Sequence, residues 1–292
     1  MKLIEKIITN CEHSEEFKRL YHGRGEKTYP FLTIDSINDN LFIQFYENAD
    51  EKPFLEVFKN APEKYKNIII KKRRFMDNGN CKMENMIYAL RGKIPNDAVA
   101  VENGIKFKLN FYNQNIGYFG DTKNVRSYVE KISKDKKVLN LFSYTCGFSL
   151  FARRGGAEFI ANVDMNKSVL ATGMANHQIN GLNIKNISFW PYNILKAFNK
   201  LKKQAPYDII IIDPPTHQKG SFIASKDYIK IVKKLPLLSH AKTTLIACIN
   251  SPKFTKEELV SMIETNTSFK FQNQIPNPKE YTDSTLKSLI FN

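Results

Sequence analysis

Five short apolar runs, at Lys137–Phe142, Phe159–Asp164, Asn186–Trp190, Asp208–Ile212 and Thr243–Ile249, recur with stretches long enough for a helix between them. A run such as Ile209-Ile210-Ile211-Ile212 has no polar face to offer water, so it belongs in a sheet covered on both sides. Strands separated by helix-length spacers pair in parallel through crossover helices. The last two runs, Phe269–Gln272 and Thr285–Phe291, read instead as a terminal antiparallel hairpin. Residues 113–292 are therefore expected to form an α/β domain.

Residues 1–112 have a different rhythm and predict a small α+β domain. Strand signals lie at Phe31–Ile34, Leu41–Tyr46 and Asn67–Ile70, with a helix near Phe54–Asn60. Ala98–Val101 and Lys106–Phe111 flank Asn103-Gly104, a strong hairpin signal. Leu3, Ile4, Ile7, Ile8, Phe17 and Leu20 stand at near-helical spacing, so the first twenty residues read as a short helix. Tyr21-His22-Gly23-Arg24-Gly25 reads as a loop. Lys71-Lys72-Arg73-Arg74 reads as a solvated strand end or a phosphate clamp, and Phe31, Phe42, Phe45 and Tyr46 beside it as a half-buried strand or base-stacking aromatics. No internal repeat or low-complexity linker separates the halves.

Hydrophobic residues make up 42% of the 292 and charged residues 25%, enough to bury a core. No apolar run approaches the ~18 residues of a membrane span, and Met1–Asn10 lacks the uninterrupted apolar core of a signal peptide. Cys11, Cys81, Cys146 and Cys248 form no CxxC pair, so neither a disulfide framework nor a metal site is expected, and a cytoplasmic setting fits. The net charge of +15 divides into +3 for residues 1–112 and +12 for residues 113–292. That asymmetry suits a polyanion such as RNA, although 36 of the 44 basic residues are Lys, which AT-rich coding alone would also produce.

The first strand-to-helix turn is Asn140-Leu141-Phe142-Ser143-Tyr144-Thr145-Cys146-Gly147-Phe148. Nucleotide-binding turns use glycines to bring the backbone close to the ligand. Here Phe142, Tyr144 and Cys146 occupy the expected glycine places, and no Gly-Lys-Ser/Thr makes it a P-loop. The run nevertheless resembles the "N-x-F-S-Y-T-G-G-F" motif of the S-adenosylmethionine-dependent methyltransferases that modify bases of large-subunit ribosomal RNA. Gly117-Tyr118-Phe119-Gly120-Asp121 with Lys123 and Arg126 is similar to that family's "G-x-F-L-D-x-R-x-x-R", and Asp213-Pro214-Pro215-Thr216 to its "D-P-P-x". The resemblance covers roughly residues 110–292. Cys146 stands where the family has Gly, Gly120 where it has an aliphatic residue, and Asn193 where many members have Asp. His22-Gly23-Arg24-Gly25 resembles a less-studied branch of the superfamily.

The resemblance implies a Rossmann-like sheet of seven strands, the last antiparallel. It implies S-adenosylmethionine as methyl donor, S-adenosylhomocysteine as product, no metal, and ribosomal RNA as partner, acted on by a monomer or a homodimer. Carried over residue by residue, it places the cofactor on Phe119, Asp121, Arg126, Asn140, Phe142, Ser143, Tyr144, Thr145, Gly147, Asp164, Asn193 and Asp213. Asp213, Pro214 and Pro215 are the expected catalytic turn. Rival readings are a methyltransferase for a small molecule or protein, and a binding or assembly factor without catalysis.

The residues support individual roles independently. Asp164, about twenty residues after the first turn, can accept both ribose hydroxyl protons or cap the next helix. Asn193 can bond adenine or serve only its loop. Two prolines after Asp213 force the chain out of the sheet and project its carboxylate, and His217 beyond them is a surface histidine or a general base. Cys248 would be the nucleophile if the product were 5-methylcytosine; its setting, Ala-Cys-Ile-Asn, reads as a buried strand.

Overall fold

The computed structural model divides into two units, Met1–Gly120 with Lys279–Asp283, and Asp121–Pro278 with Ser284–Asn292. It describes residues 1–24, 26–47, 49–76, 82–218, 222–281 and 284–292, and of residues 74–76, 82–85, 217 and 218 only the backbone. Gly25, Cys81 and the side chains of Arg74 and His217 lie outside that description.

In the first unit, α1 (Lys2–Thr9) buries Ile4 and Ile8. The sheet runs β1 (Lys18–His22), β2 (Leu32–Ile37), β3 (Asn40–Phe45), β4 (Asn67–Met76) and β5 (Lys82–Arg91), in that order. Only β3 and β4 are parallel, joined through α2 (Leu55–Lys59). Leu32, Ile34, Ile43, Phe45, Ile68 and Ile70 build the core beneath the two helices. The expected hairpin is β6 (Val99–Glu102) and β7 (Ile105–Lys108), with Asn103 and Gly104 both at positive φ, as a tight primed turn requires.

Two strands stand where the sequence pattern gives no strand. The expected N-terminal helix ends at Thr9, and β1 takes its last three residues, Lys18–Leu20, with the first two of the loop. Arg19 explains it: its guanidinium pairs with Asp35 of β2, which is 1% exposed, and its Cζ lies 4.9 Å from the Tyr281 ring centre. β5 reads Lys-Met-Glu-Asn-Met-Ile-Tyr-Ala-Leu-Arg, rich in helix formers, yet pairs along the length of β4. Partner strands outweigh local propensity in both cases.

The basic run is not a solvated strand end, because β4 continues through it. Lys71 is 0% exposed and its Nζ donates to the carbonyls of Phe111, at 2.9 Å, and Asn113. Lys72 pairs with Glu51. Arg73 donates to Gln44 Oε1 at 3.0 Å and to the Gln114 carbonyl at 2.7 Å. These charges are spent inside the unit, which leaves no phosphate clamp at Lys71–Arg73.

The second unit realises the expected alternation. α3 (Lys123–Ile132) precedes β8 (Lys137–Leu141), α4 (Gly147–Arg154), β9 (Phe159–Val163), α5 (Lys167–Ile179), β10 (Ile187–Trp190), α6 (Ile194–Leu201) and β11 (Ile209–Ile212). A short pair, β12 (His217–Gln218) and β13 (Phe222–Ile223), leads into α7 (Ala224–Val232), β14 (Thr244–Asn250), α8 (Lys256–Asn266), β15 (Phe271–Ile275) and β16 (Leu286–Phe291). The seven-stranded order is β10-β9-β8-β11-β14-β16-β15, parallel through β14, with β16 antiparallel to both neighbours. Ile210 and Ile212 pack with α6, α7 and α8 on one face, Ile209 and Ile211 with α3 and α4 on the other. The isoleucine run is therefore buried on both faces, each side chain worth about 1.5–3 kcal/mol of apolar transfer.

Candidate cofactor and active site

Strand register sets the site. Trp190, Val163, Leu141, Ile212 and Ala247 form one row across β10, β9, β8, β11 and β14. The next residues along are Asp164, Phe142 and Asp213 on the three middle strands. Two acids and the first turn thus leave the sheet side by side, at the strand ends where α/β folds bind ligands.

Phe142, Tyr144 and Cys146 have φ of 58°, 47° and 62°. These are the three glycine-like places of the turn, and all three keep the left-handed backbone that glycine favours. The turn has changed its residues while retaining that conformation. Its support comes from α5, whose Gly173, Asn176 and His177 lie on one helical face. A Cβ on Gly173 would stand 2.4 Å from Cys146 Sγ, so the small residue missing from the turn is present on the helix behind it. Asn176 Nδ2 donates to the Thr145 carbonyl at 3.2 Å.

A buried polar chain supports the turn from beneath. Asn140 and Asn162 face each other in register, and Asn140 Nδ2 donates to Asn162 Oδ1 at 2.9 Å. Asn162 Nδ2 donates to Ser149 Oγ at 3.0 Å, Ser149 Oγ lies 3.0 Å from His177 Nε2, and His177 Nδ1 lies 2.8 Å from the Gly173 carbonyl. Burial lowers the His177 pKa. A neutral ring that accepts from Ser149 and donates to Gly173 satisfies every link.

Asp164 does not cap α5. Asn166 does, accepting from Ser168 and Val169 N–H. Asp164 instead accepts from Tyr144 N–H at 3.0 Å and Asn166 N–H at 2.9 Å; burial raises its carboxyl and these two bonds oppose the rise. Each oxygen retains capacity for a second donor. Beside it, Phe142, Met165, Tyr192, Asn193, Leu195 and Phe222 line a pocket. Asn193 caps α6 through Oδ1, which accepts from Leu195 N–H at 3.0 Å, so only its amide nitrogen is left to donate.

On the other side of the turn, Asp213 lies in the field of Asp121 and Arg126. Burial, first, and the Asp121 charge push its carboxyl up to about 7, while Arg126 opposes them. Arg126 is 3% exposed and donates to Thr122 Oγ1 at 2.6 Å. Pro214 is buried and Pro215 exposed. The Thr216 hydroxyl donates to the Asn250 carbonyl at 2.6 Å, fixing the turn to β14.

Phe142, Tyr144, Gly147, Asp164, Asn193, Asp121 and Asp213 are partly open, whereas Asn140, Ser143, Thr145 and Arg126 are buried. Phe119 belongs to the first unit and is 43% exposed. Cys248 stands one residue beyond the register row, but β14 runs on to Asn250, so it remains sheet-bound and 0% exposed. Its thiol donates to Ser288 Oγ at 3.5 Å, and burial raises its pKa well above normal. Sequence reading missed Met165, Tyr192 and Phe222, and the supports Asn162, Gly173, Asn176 and His177. Asn140 and Asn162 were the available signal: single polar residues inside apolar strands need partners.

A family model for S-adenosylmethionine-dependent methyltransferase matches residues 18–292. The chain belongs to the S-adenosylmethionine-dependent methyltransferase family. It is 28% identical over 278 residues to the Bacillus subtilis (strain 168) protein YwbD, provisionally named a ribosomal RNA large subunit methyltransferase, covering 90% of this chain and 69% of that one. It is 31% identical over 245 residues to ribosomal RNA large subunit methyltransferase K/L of Pseudoalteromonas translucida (strain TAC 125), covering 78% of this chain but only 34% of that longer protein. The structure of SMU.776, provisionally called a methyltransferase and complexed with S-adenosylhomocysteine, superposes with TM-score 0.82 at 24% identity, over 96% of this chain and 76% of that one.

As a methyltransferase of this family, the chain uses S-adenosylmethionine. The open lone pairs of Asp164, the aromatic pocket beside it and the close-approach backbone of the first turn fit that cofactor. Among the described residues no cluster of His, Cys, Asp or Glu could hold a metal ion, and no helix is long and apolar enough to cross a membrane.

Proposed function

We propose that the chain transfers a methyl group from S-adenosylmethionine to a base of ribosomal RNA, and that the first unit binds the RNA substrate. The observation that supports this reading is the register row: Asp164, Phe142 and Asp213 emerge together, so the residues that would hold the cofactor stand beside the Asp213-Pro214-Pro215 turn. The names of the curated relatives support the substrate class, as does the +12 charge of residues 113–292.

Bound cofactor supplies an electrophilic methyl group on a sulfonium. Asp164 would hold the ribose hydroxyls, Phe142 and Tyr192 would receive the adenine, and the Asn193 amide nitrogen would donate to it. The N-terminus of α4, whose N-cap Cys146 makes no side-chain cap bond, suits the carboxylate of the methionyl group. Asp213 accepts from an amino or imino group of the target base and aligns it. With Cys248 buried as a protonated thiol, the reading favours a target atom with its own lone pair, for which positioning and water exclusion provide most of the acceleration.

Purified large-subunit ribosomal RNA from a deletion strain, incubated with the chain and methyl-labelled cofactor, should take up label on one nucleotide identified by mass spectrometry. Label appearing only in protein or small molecules would overturn the RNA assignment.

A further inference from the structure

The parallel strands of the second unit begin at the end of the sheet opposite the cofactor turn, and two residues gather the loops there. Tyr207 Oη donates to the Leu201 carbonyl at 3.0 Å, its N–H to the Leu238 carbonyl at 2.9 Å, and its carbonyl accepts from Thr243 Oγ1 at 2.7 Å. Asp208 Oδ2 accepts from Lys137 N–H at 2.8 Å, and its Oδ1 lies 3.1 Å from His240 Nε2. The end of α6, the segment after α7 and the start of β14 are thus tied together around the start of β11.

Those loops carry exposed Lys202, Lys203, Lys233, Lys234 and Lys242. Residues 202–206 and 233–243 contain no Asp or Glu. Asp208 is half-buried and committed to Lys137 and His240; the exposed acids at this end, Asp135 and Glu158, lie on the loops before β8 and β9. Among the described residues these five lysines form no ion pair. Complementing a helix dipole explains Lys202 and Lys233, which are the C-caps of α6 and α7. It also explains Lys203, which continues the end of α6 in a 3-10 turn over Lys202–Gln204, but not Lys234 or Lys242, which lie between α7 and β14.

We propose that this basic pole is a second RNA contact surface, remote from methyl transfer, that holds phosphates of the substrate backbone. The inference rests on the RNA reading above. A five-residue strand spans about 16 Å, so the pole cannot touch the target base and instead lengthens the footprint on a large RNA. Lysines on flexible stems, with no planar fork to read a base edge, suit backbone contacts that position without specifying sequence.

The test uses the full chain and a labelled single-stranded RNA, with fluorescence anisotropy measured across a KCl series. Replacing Lys202, Lys203, Lys233 and Lys234 by Gln should flatten the log–log salt slope by about 2–3, at about −0.7 per phosphate contact, and weaken binding more than about tenfold at low salt. Cofactor affinity should stay unchanged. The pairs Lys202/Lys203 and Lys233/Lys234, replaced separately, should each give about half the effect, so a quadruple variant that misfolds still leaves a decisive measurement. An unchanged slope in the pole variants would overturn the pole. Salt-insensitive RNA binding by the unmodified chain would overturn the RNA reading itself.

Discussion

At the scale of single residues, two acids at the same end of the sheet have different work. Asp164 accepts two backbone N–H bonds and keeps room for two more donors, whereas burial and Asp121 hold Asp213 near neutrality. Asp164→Ala should weaken S-adenosylmethionine binding by ~1.5–3 kcal/mol, the range for a hydrogen bond to a charged group; unchanged affinity by titration calorimetry in a folded variant would remove the ribose role. The raised Asp213 carboxyl has opposite consequences for stability and activity. Its stabilising contribution is full below pH ~4 and is lost as pH rises through about 7, because only the folded state holds that proton there. If the ionised form accepts from the target base, kcat/KM should instead rise through about pH 7, and Asp213→Asn should abolish that limb. Cys248→Ser should retain most methyl transfer, since a buried thiol already bonded to Ser288 can become a hydroxyl without losing a nucleophile; complete loss with cofactor binding intact would restore covalent chemistry.

At the scale of elements, the first turn and α5 behave as one fitted part. The sequence marks Cys146 as a departure from glycine, but only the fold shows that Gly173 opposes it. Gly173→Ala should destabilise the chain by about 1–3 kcal/mol, because its Cβ would meet Cys146 Sγ at 2.4 Å in a closed core. Adding Cys146→Gly should recover most of that loss in urea unfolding and in cofactor affinity; additive losses would show that the two positions do not share one space. The same limit governs secondary structure. The parallel strands were legible because an all-aliphatic run buried on both faces has few other places to go. β1 and β5 were not, since their strand state depends on Asp35 and β4, partners far away in sequence.

Across the whole molecule, counting charge without locating it misleads. Arg19, Arg73, Arg91, Arg126, Arg153 and Arg154 all donate to groups of the protein itself, as do Lys71 and Lys72, so the exposed cations that a polyanion would meet are Arg24 and lysines outside β4. Lys71 gives the sharpest contrast with the basic pole. It donates to two backbone carbonyls from a fully buried position, and burial together with Arg73 lowers its pKa to about 8. Lys71→Ala leaves both carbonyls without that donor and should cost about 2–6 kcal/mol in urea unfolding, at about 1–3 kcal/mol per unsatisfied group. The slope of RNA affinity against salt should not change. A depressed lysine also has a definite pH signature: between about pH 8 and 10.5 the unfolded chain holds a proton that the folded chain has released, so this residue's contribution to stability rises with pH over that interval. The variant should lack that rise. A Lys71→Ala chain of normal stability with a flattened salt slope would put the residue back on the RNA-binding surface.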